Sequence, residues 1–292
     1  MKSNSILFVG CGDLGCRSGL IMQARGWQVA GLRRDPSRLP AGFAGIRGDY
    51  SSPADTGFIA ELKPDYVVAT FNPSDMSVEG YQRGFSQAAQ SLLAGLGDHR
   101  PRAILSVSST RVYAERDGGW VDETSPLSAD DPRALAIIAA EQILLGSVHR
   151  VSVVRFAGIY GYPGGRLLER IRRGELSPKE PLRFSNRIHR DDCAGFLCHL
   201  LGRAEAGQTL EPVYNGVDDL PAPQYEVEAW LAARMGVEAK PPEPPGKADP
   251  NLRGSMPAGH KRCSNRLLHA SGYRLIYADY RSGYAAVLAG AD

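Results

Sequence analysis

Short, largely apolar runs alternate with longer stretches of helical spacing through the first half of the chain. Ile6-Leu7-Phe8-Val9 is the first such run, and Leu20 to Ala24 then falls in a helix that ends near Gly26. Trp27 to Leu32, Asp65 to Thr70, Ile104 to Val107 and Val151 to Phe156 repeat the pattern. A strand with one wet face alternates apolar and polar residues. A run that stays apolar needs cover on both faces, as in a parallel sheet between two layers of helices. Strand and helix in succession therefore predict an α/β fold with a doubly wound parallel sheet of the Rossmann type.

After Tyr160 the pattern changes. Gly161-Tyr162-Pro163-Gly164-Gly165 reads as a loop, followed by a helix with Leu167, Leu168 and Ile171 on one face. Further helices are expected from Asp191 to Leu201 and from Tyr225 to Met235. The run Lys240-Pro241-Pro242-Glu243-Pro244-Pro245-Gly246 cannot continue a helix and is expected to be an extended loop. His260 to Leu288 is amphipathic enough to pack back on the core. The expected organisation is a dinucleotide-binding core over residues 1–160. Residues 161–292 form mostly a smaller C-terminal substrate lobe, with some segments returning to the core.

The first loop carries the sharpest signal. Gly10-Cys11-Gly12-Asp13-Leu14-Gly15 fits G-x-G-x-x-G directly after a strand and directly before a helix. Gly10 permits the tight turn, Gly12 lets backbone approach a pyrophosphate, and Gly15 lets helix and strand pack closely. The helix N-terminus, with Asp13 and Leu14, then offers amides and a partial positive charge to the phosphates. At the end of the second strand an acidic residue would accept from a ribose 2′-hydroxyl and favour NAD. This chain has Arg33 and Arg34 there, which suit a 2′-phosphate and so NADP, with NAD as the alternative. Asp49, after the third strand, is placed to accept from the adenine amino group. Thr70, Phe71 and Asn72, after the fourth, are placed beside the cofactor riboses.

Composition narrows the rest. The 292 residues carry a formal net charge of only +2, with arginines dispersed among acidic residues, so nothing points to nucleic acid or an anionic membrane. Five cysteines lie far apart without a C-x-x-C pair, which excludes a zinc ribbon and a thioredoxin-like motif; no metal is expected. Unpaired cysteines suit a reducing compartment. The run Ile6 to Val9 is too short for a signal peptide's apolar core, and no stretch approaches the ~20 residues of a membrane span. A cytoplasmic protein with a small-molecule substrate is expected.

Motifs along nearly the whole chain resemble the extended short-chain dehydrogenases/reductases, the group of NAD-dependent epimerases and dehydratases. Besides the glycine loop they are Ser108-Ser109-Thr110-Arg111-Val112-Tyr113, Val121-Asp122-Glu123-Thr124-Ser125-Pro126 and Arg155-Phe156-Ala157-Gly158-Ile159-Tyr160-Gly161. Asn186-Arg187-Ile188-His189-Arg190-Asp191-Asp192, Val213-Tyr214-Asn215-Gly216 and Lys261-Arg262-Cys263-Ser264-Asn265 complete the set. The resemblance implies that Ser109 polarises a substrate oxygen and that Ser108, Ala157 and Ile159 lie along the cofactor. It also implies a homodimer formed through two helices of each chain.

The family's Tyr-x-x-x-Lys pair is missing. Counting back from Ala139-Ala140-Glu141-Gln142 puts Arg133 at the tyrosine's place and Ile137 at the lysine's, and no Tyr-x-x-x-Lys occurs anywhere in the chain. The likeness is therefore to atypical members that keep the cofactor fold without the usual proton relay. Tyr113 can offer a phenol or serve as packing. Arg133 can clamp an anionic substrate, steady an oxyanion or lie on the surface. Arg166, Arg187 and His189 are the substrate candidates; for His189 the competing reading is a helix-capping cluster with Asp191. Two functions fit: an NADP-dependent oxidoreductase or epimerase with non-standard acid/base residues, and a catalytically impaired dinucleotide sensor or regulatory protein.

Overall fold

The computed structural model describes residues 3–238 and 260–290, so the proline-rich run at 240–246 lies outside the described residues. β1 (Ser5–Val9) is buried over its last four residues and leads through the glycine loop into α1 (Asp13–Ala24). β2 (Gln28–Arg33) and β3 (Ala44–Arg47) follow on one side of β1. After α2 (Ile59–Leu62), the chain crosses back and lays β4 (Tyr66–Ala69) on the other side. α3 (Val78–Gln82) and α4 (Ala88–Leu96) flank a π turn at Arg83–Gln87, and β5 (Ala103–Ser109) extends the sheet.

β6 (Trp120–Val121) lies outside the main sheet; α5 (Pro132–Leu145) returns the chain to β7 (Val151–Phe156). β8 (Gly158–Tyr160), α6 (Arg166–Arg172), β9 (Phe184–Ser185) and β10 (Arg187–His189) then build outward. α7 (Arg190–Glu205) and β11 (Val213–Gly216) come back to the sheet. β12 (Ala222–Pro223), α8 (Gln224–Met235), β13 (Arg262–Cys263), α9 (Arg266–Ala270) and α10 (Tyr280–Leu288) complete the described chain.

The main sheet has seven strands in the order β11-β7-β5-β4-β1-β2-β3, and every pair in it is parallel. Val67, Val68 and Leu105 are wholly buried, as strands covered on both faces must be. One face packs on α3, α4 and α5 and the other on α1 and α7, in two apolar clusters. A third cluster joins Tyr160, Leu168, Val227, Leu231 and Tyr284 from β8, α6, α8 and α10. Strand order reverses between β1 and β4, and the crevice beyond their C-terminal ends is where such sheets hold ligands.

A polar network is buried beneath that edge. Arg155 on β7 and Glu141 on α5 form an ion pair at 2.7 Å with side chains only 4% and 5% exposed. The Arg155 Nε donates to both Glu141 oxygens at 3.0 and 3.2 Å, and Ser108 at the end of β5 donates to the same carboxylate. Arg155 Nη1 donates to the Tyr113 hydroxyl at 3.1 Å, which donates in turn to Asn215 Oδ1 at 2.6 Å. The Asn215 amide donates to Glu123 at 2.8 Å, and its side chain to the Ser264 carbonyl at 3.1 Å. Five of the sequence motifs thus meet in one place. Burial acts to lower the basicity of Arg155, but the Glu141 hydrogen bonds and charge outweigh it and raise it.

Breaking such a pair strands a charge in the interior, which costs about 3–5 kcal/mol, whereas replacing both partners by apolar groups is far milder. Glu141→Ala is therefore expected to lose about 3–5 kcal/mol in denaturant unfolding, and Glu141→Leu with Arg155→Met to recover most of that loss. A single variant as stable as the parent would contradict the assignment.

Candidate functional site

The crevice holds a cleft of about 380 Å³ lined by Gly10, Gly12, Arg33, Arg34, Asp49 and Asn72, with Cys11, Arg38, Tyr50 and others filling the wall. The three glycines of the first loop have three different reasons to be glycine. Gly10 has φ +81°, and a Cβ on it would meet the Thr70 carbonyl oxygen at 2.8 Å. A Cβ on Gly15 would press on the Cys11 sulfur at 3.2 Å, where α1 crosses the sheet. Gly12 has an ordinary extended φ of −87°, is exposed, and its Cβ would meet only the Gly10 carbonyl oxygen, at 3.7 Å. Neither backbone strain nor packing requires glycine at position 12. What a side chain there would occupy is the open floor of the cleft. No side chain caps α1 at this end, so the helix directs its first amides and its dipole into the same space. The loop and cleft fit a dinucleotide.

The surrounding residues divide into wall and support. Arg33, half-buried, donates to the Cys11 carbonyl at 3.0 Å and so holds the loop from the side of β2, while Arg34 is exposed. Arg38, on the next turn, pairs with Asp35 at 3.1 Å. Asp49 accepts from the Ser51 amide and hydroxyl at 3.0 and 2.7 Å. Burial pushes its carboxyl up, but those hydrogen bonds and the Arg34 charge outweigh it and hold it below its usual value. The Thr70 hydroxyl is spent on the Gly10 carbonyl at 2.6 Å, and Phe71 is buried with its ring stacked on Tyr50. Both support the loop from below, whereas Asn72 reaches the cleft. Asp13 turns its carboxylate outward to Arg17 at 3.3 Å and receives the Tyr162 hydroxyl at 3.1 Å. Leu14 packs against the core.

Ser109, half-buried at the end of β5, accepts from the Arg111 amide at 3.2 Å and keeps its own proton to donate. Ser108 and Tyr113 are different. Both are buried with their hydroxyls committed to the Glu141, Arg155 and Asn215 network. Burial pushes the Tyr113 phenol up to about 12. Their hydroxyls thus hold the floor of the site, which is the packing alternative for Tyr113.

Ile137 is buried in the apolar core, and the Arg133 guanidinium lies over the Tyr81 ring at 5.7 Å. Neither supplies the phenol or the ammonium of the family's pair. Ala157 donates its amide to the Gly216 carbonyl at 3.1 Å, and Ile159 lines a second cavity of about 420 Å³ with Arg166, Arg187 and Tyr284. Arg166 is exposed there; Arg187 is buried and donates to Ser185 at 2.7 Å and Gln224 at 3.0 Å. His189 is not in that cavity. Its ring is buried at the start of α7, where Nδ1 accepts from the Asp191 amide at 3.2 Å and caps the helix. Among the described residues no group of three or more His, Cys, Asp or Glu side chains can hold a metal, and no helix is long and apolar enough to cross a membrane.

The comparisons with known proteins agree with this geometry. A Methylobacillus flagellatus structure of the NAD-dependent epimerase/dehydratase class is 32% identical, covers 99% of both chains and superposes with a TM-score of 0.82. The chain belongs to the NAD-dependent epimerase/dehydratase family. Protein YeeZ of Escherichia coli K12 is 24% identical over 284 residues, 94% of this chain and 96% of that protein. The human epimerase family protein SDR39U1, solved with NADPH, shares the fold with a TM-score of 0.75 at 21% identity, over 97% of this chain and 98% of that one. No family model matches the chain.

Beside the second cavity, Asp218 is buried, and its backbone amide donates to the Arg187 carbonyl at 2.7 Å. Burial pushes its carboxyl up from the ordinary 3.8 to about 8. The folded state then keeps a proton that the unfolded chain releases, so this group's support of the fold is full below about 4 and is lost as pH rises to about 8. Asp218→Asn removes that dependence. Unfolding measured from pH 4 to 8 is expected to show the variant gaining on the parent as pH rises; a constant difference would contradict the assignment.

Proposed function

We propose that this protein binds NADP(H) along the glycine loop and acts on a small molecule held toward the second lobe, as an oxidoreductase or epimerase whose acid/base chemistry does not use a Tyr-x-x-x-Lys pair. The observation that carries the cofactor is Gly12, a glycine that neither its backbone conformation nor its packing needs, on the floor of a cleft faced by a helix N-terminus. Arg33, Arg34 and Arg38 on its wall suit a 2′-phosphate, whose charge-assisted bonds to guanidinium are strong and directional. The bound dinucleotide would supply hydride chemistry; Ser109 would donate to the substrate oxygen, and Arg166 and Arg187 would hold the substrate from the second cavity.

Titration calorimetry of NADPH, NADP, NADH and NAD tests the cofactor. Gly12→Val is expected to fold with the parent's stability and bind none of them. Arg33→Asp with Arg34→Ala is expected to weaken NADP by tenfold or more while leaving NAD less changed, since each lost charge-assisted bond is worth about 1.5–3 kcal/mol. Unchanged binding by Gly12→Val would refute the cleft, and equal losses for both cofactors would refute the preference.

A second reading, a dinucleotide sensor, draws support from Ile137 in the core and Tyr113 sealed in its network. Turnover separates the two. Screened on aldehydes, ketones, alcohols and nucleotide sugars, the parent is expected to show no ordinary carbonyl reduction or alcohol oxidation above background, and any turnover that remains to be lost in Ser109→Ala. Binding without any turnover favours the sensor.

A further inference from the structure

Two thiols meet inside the glycine loop. Cys11 is wholly buried beneath it, against β2, where a Cβ on Gly31 would meet its Sγ at 3.0 Å. Cys16, half-buried in the first turn of α1, places its Sγ 3.9 Å from that of Cys11. A disulfide closes at about 2.05 Å, so the sulfurs stand in contact and need about two ångström of approach. Their surroundings divide the labour. The hydrogen bond from Cys11 and the nearby Arg33 charge lower the Cys16 thiol to about 7, and a thiol at a helix N-terminus gains in the same direction. Cys11 is raised by the same hydrogen bond and by burial. Burial pushes Cys193 well up, and Cys198 and Cys263 up to about 12. Cys16 is thus the accessible thiol with a partner in reach, while Cys193, Cys198 and Cys263 are buried away from it.

We propose that Cys11 and Cys16 are a reversible redox modification site, closed to a disulfide by a hydroperoxide, and that closure shuts the dinucleotide cleft; the second half rests on the cofactor reading above. The Cys16 thiolate attacks a peroxide oxygen, the O–O bond breaks, and the departing alkoxide or hydroxide takes a proton, leaving Cys16 as a sulfenic acid. Cys11 loses its proton and attacks that sulfur; the S–S bond forms, the S–O bond breaks, and hydroxide leaves with the proton as water. Two thiols are oxidised by two electrons and the peroxide is reduced by two. A dithiol reverses it. Cys11 lies between Gly10 and Gly12, and its carbonyl is where Arg33 donates, so drawing its sulfur toward α1 displaces the loop and that arginine together.

The test uses the whole protein, treated with hydrogen peroxide, alkylated under denaturing conditions and digested with trypsin. The peptide ending at Arg17 holds both Cys11 and Cys16. It is expected to appear unalkylated and lighter by two hydrogens, to recover with dithiothreitol, and to do neither in Cys16→Ala, while Cys193, Cys198 and Cys263 remain alkylated. NADPH binding to the oxidised protein is expected to fall at least about tenfold, the loss of one charge-assisted contact, and to return on reduction. Full alkylation of Cys11 and Cys16 after peroxide, or sulfinic acid at Cys16 without a crosslink, overturns the site. A crosslink with unchanged NADPH affinity overturns the shutting of the cleft. Mass alone reads the crosslink, so a parent that binds no NADPH defeats the cofactor reading separately.

Discussion

The pairing of Arg155 with Glu141 is the constraint on which the C-terminal ends of β5 and β7 depend. A guanidinium and a carboxylate are both taken out of water there, and each is tolerable only because the other and its hydrogen-bond partners are in place. Satisfying them recruits Ser108 from β5, Tyr113 from the following turn, and a further Arg155 bond to the Glu123 carbonyl. Tyr113 in turn brings in Asn215 from β11, which reaches Ser264. Strand ends that would otherwise be held only by their ladders are locked at one depth. Ser109, one residue beyond Ser108, inherits its position from that lock.

The cofactor side is held by a second device, at the surface. Arg17 of α1 pairs with Asp191 of α7 at 2.6 Å, and Tyr162, beyond β8, hydrogen-bonds Asp13. The helix that faces the cleft is thereby tied to α7 and to the loop between β8 and α6. Deeper in, Asp192 accepts the Tyr273 hydroxyl and the Ile276 and Tyr277 amides, which fastens the C-terminal segment to α7. Burial raises that carboxyl, while its three hydrogen bonds favour the charged form.

The strands of the sheet were legible because their signal is local: Val151 to Phe156 carries four apolar residues of six, and the observed β7 has those limits. The glycine loop was legible for the same reason. What could not be read was who pairs with whom. Ser108, Tyr113, Thr70 and His189 carry the residue types of chemistry, yet the structure spends each on a partner: Glu141, Asn215, the Gly10 carbonyl and the Asp191 amide. Asn215 lies 102 residues from Tyr113, and no periodicity links them. Arg38 and Tyr50 escaped notice because a cleft wall made from turns has no repeating pattern. The contact of Cys11 with Cys16 escaped because a loop-to-helix approach depends on the turn itself.

The claim on which the account stands is that a dinucleotide lies across the loop after β1 and the arginines after β2. Hydrogen–deuterium exchange of the whole protein with and without NADPH reads it directly, amide by amide. The account predicts slowed exchange at the loop of residues 10–16, with the turn at 33–38, the segment 48–51 and the strand end at 70–72 that line the same cleft. Protection elsewhere with these segments unchanged, or no protection at saturating NADPH, would contradict it.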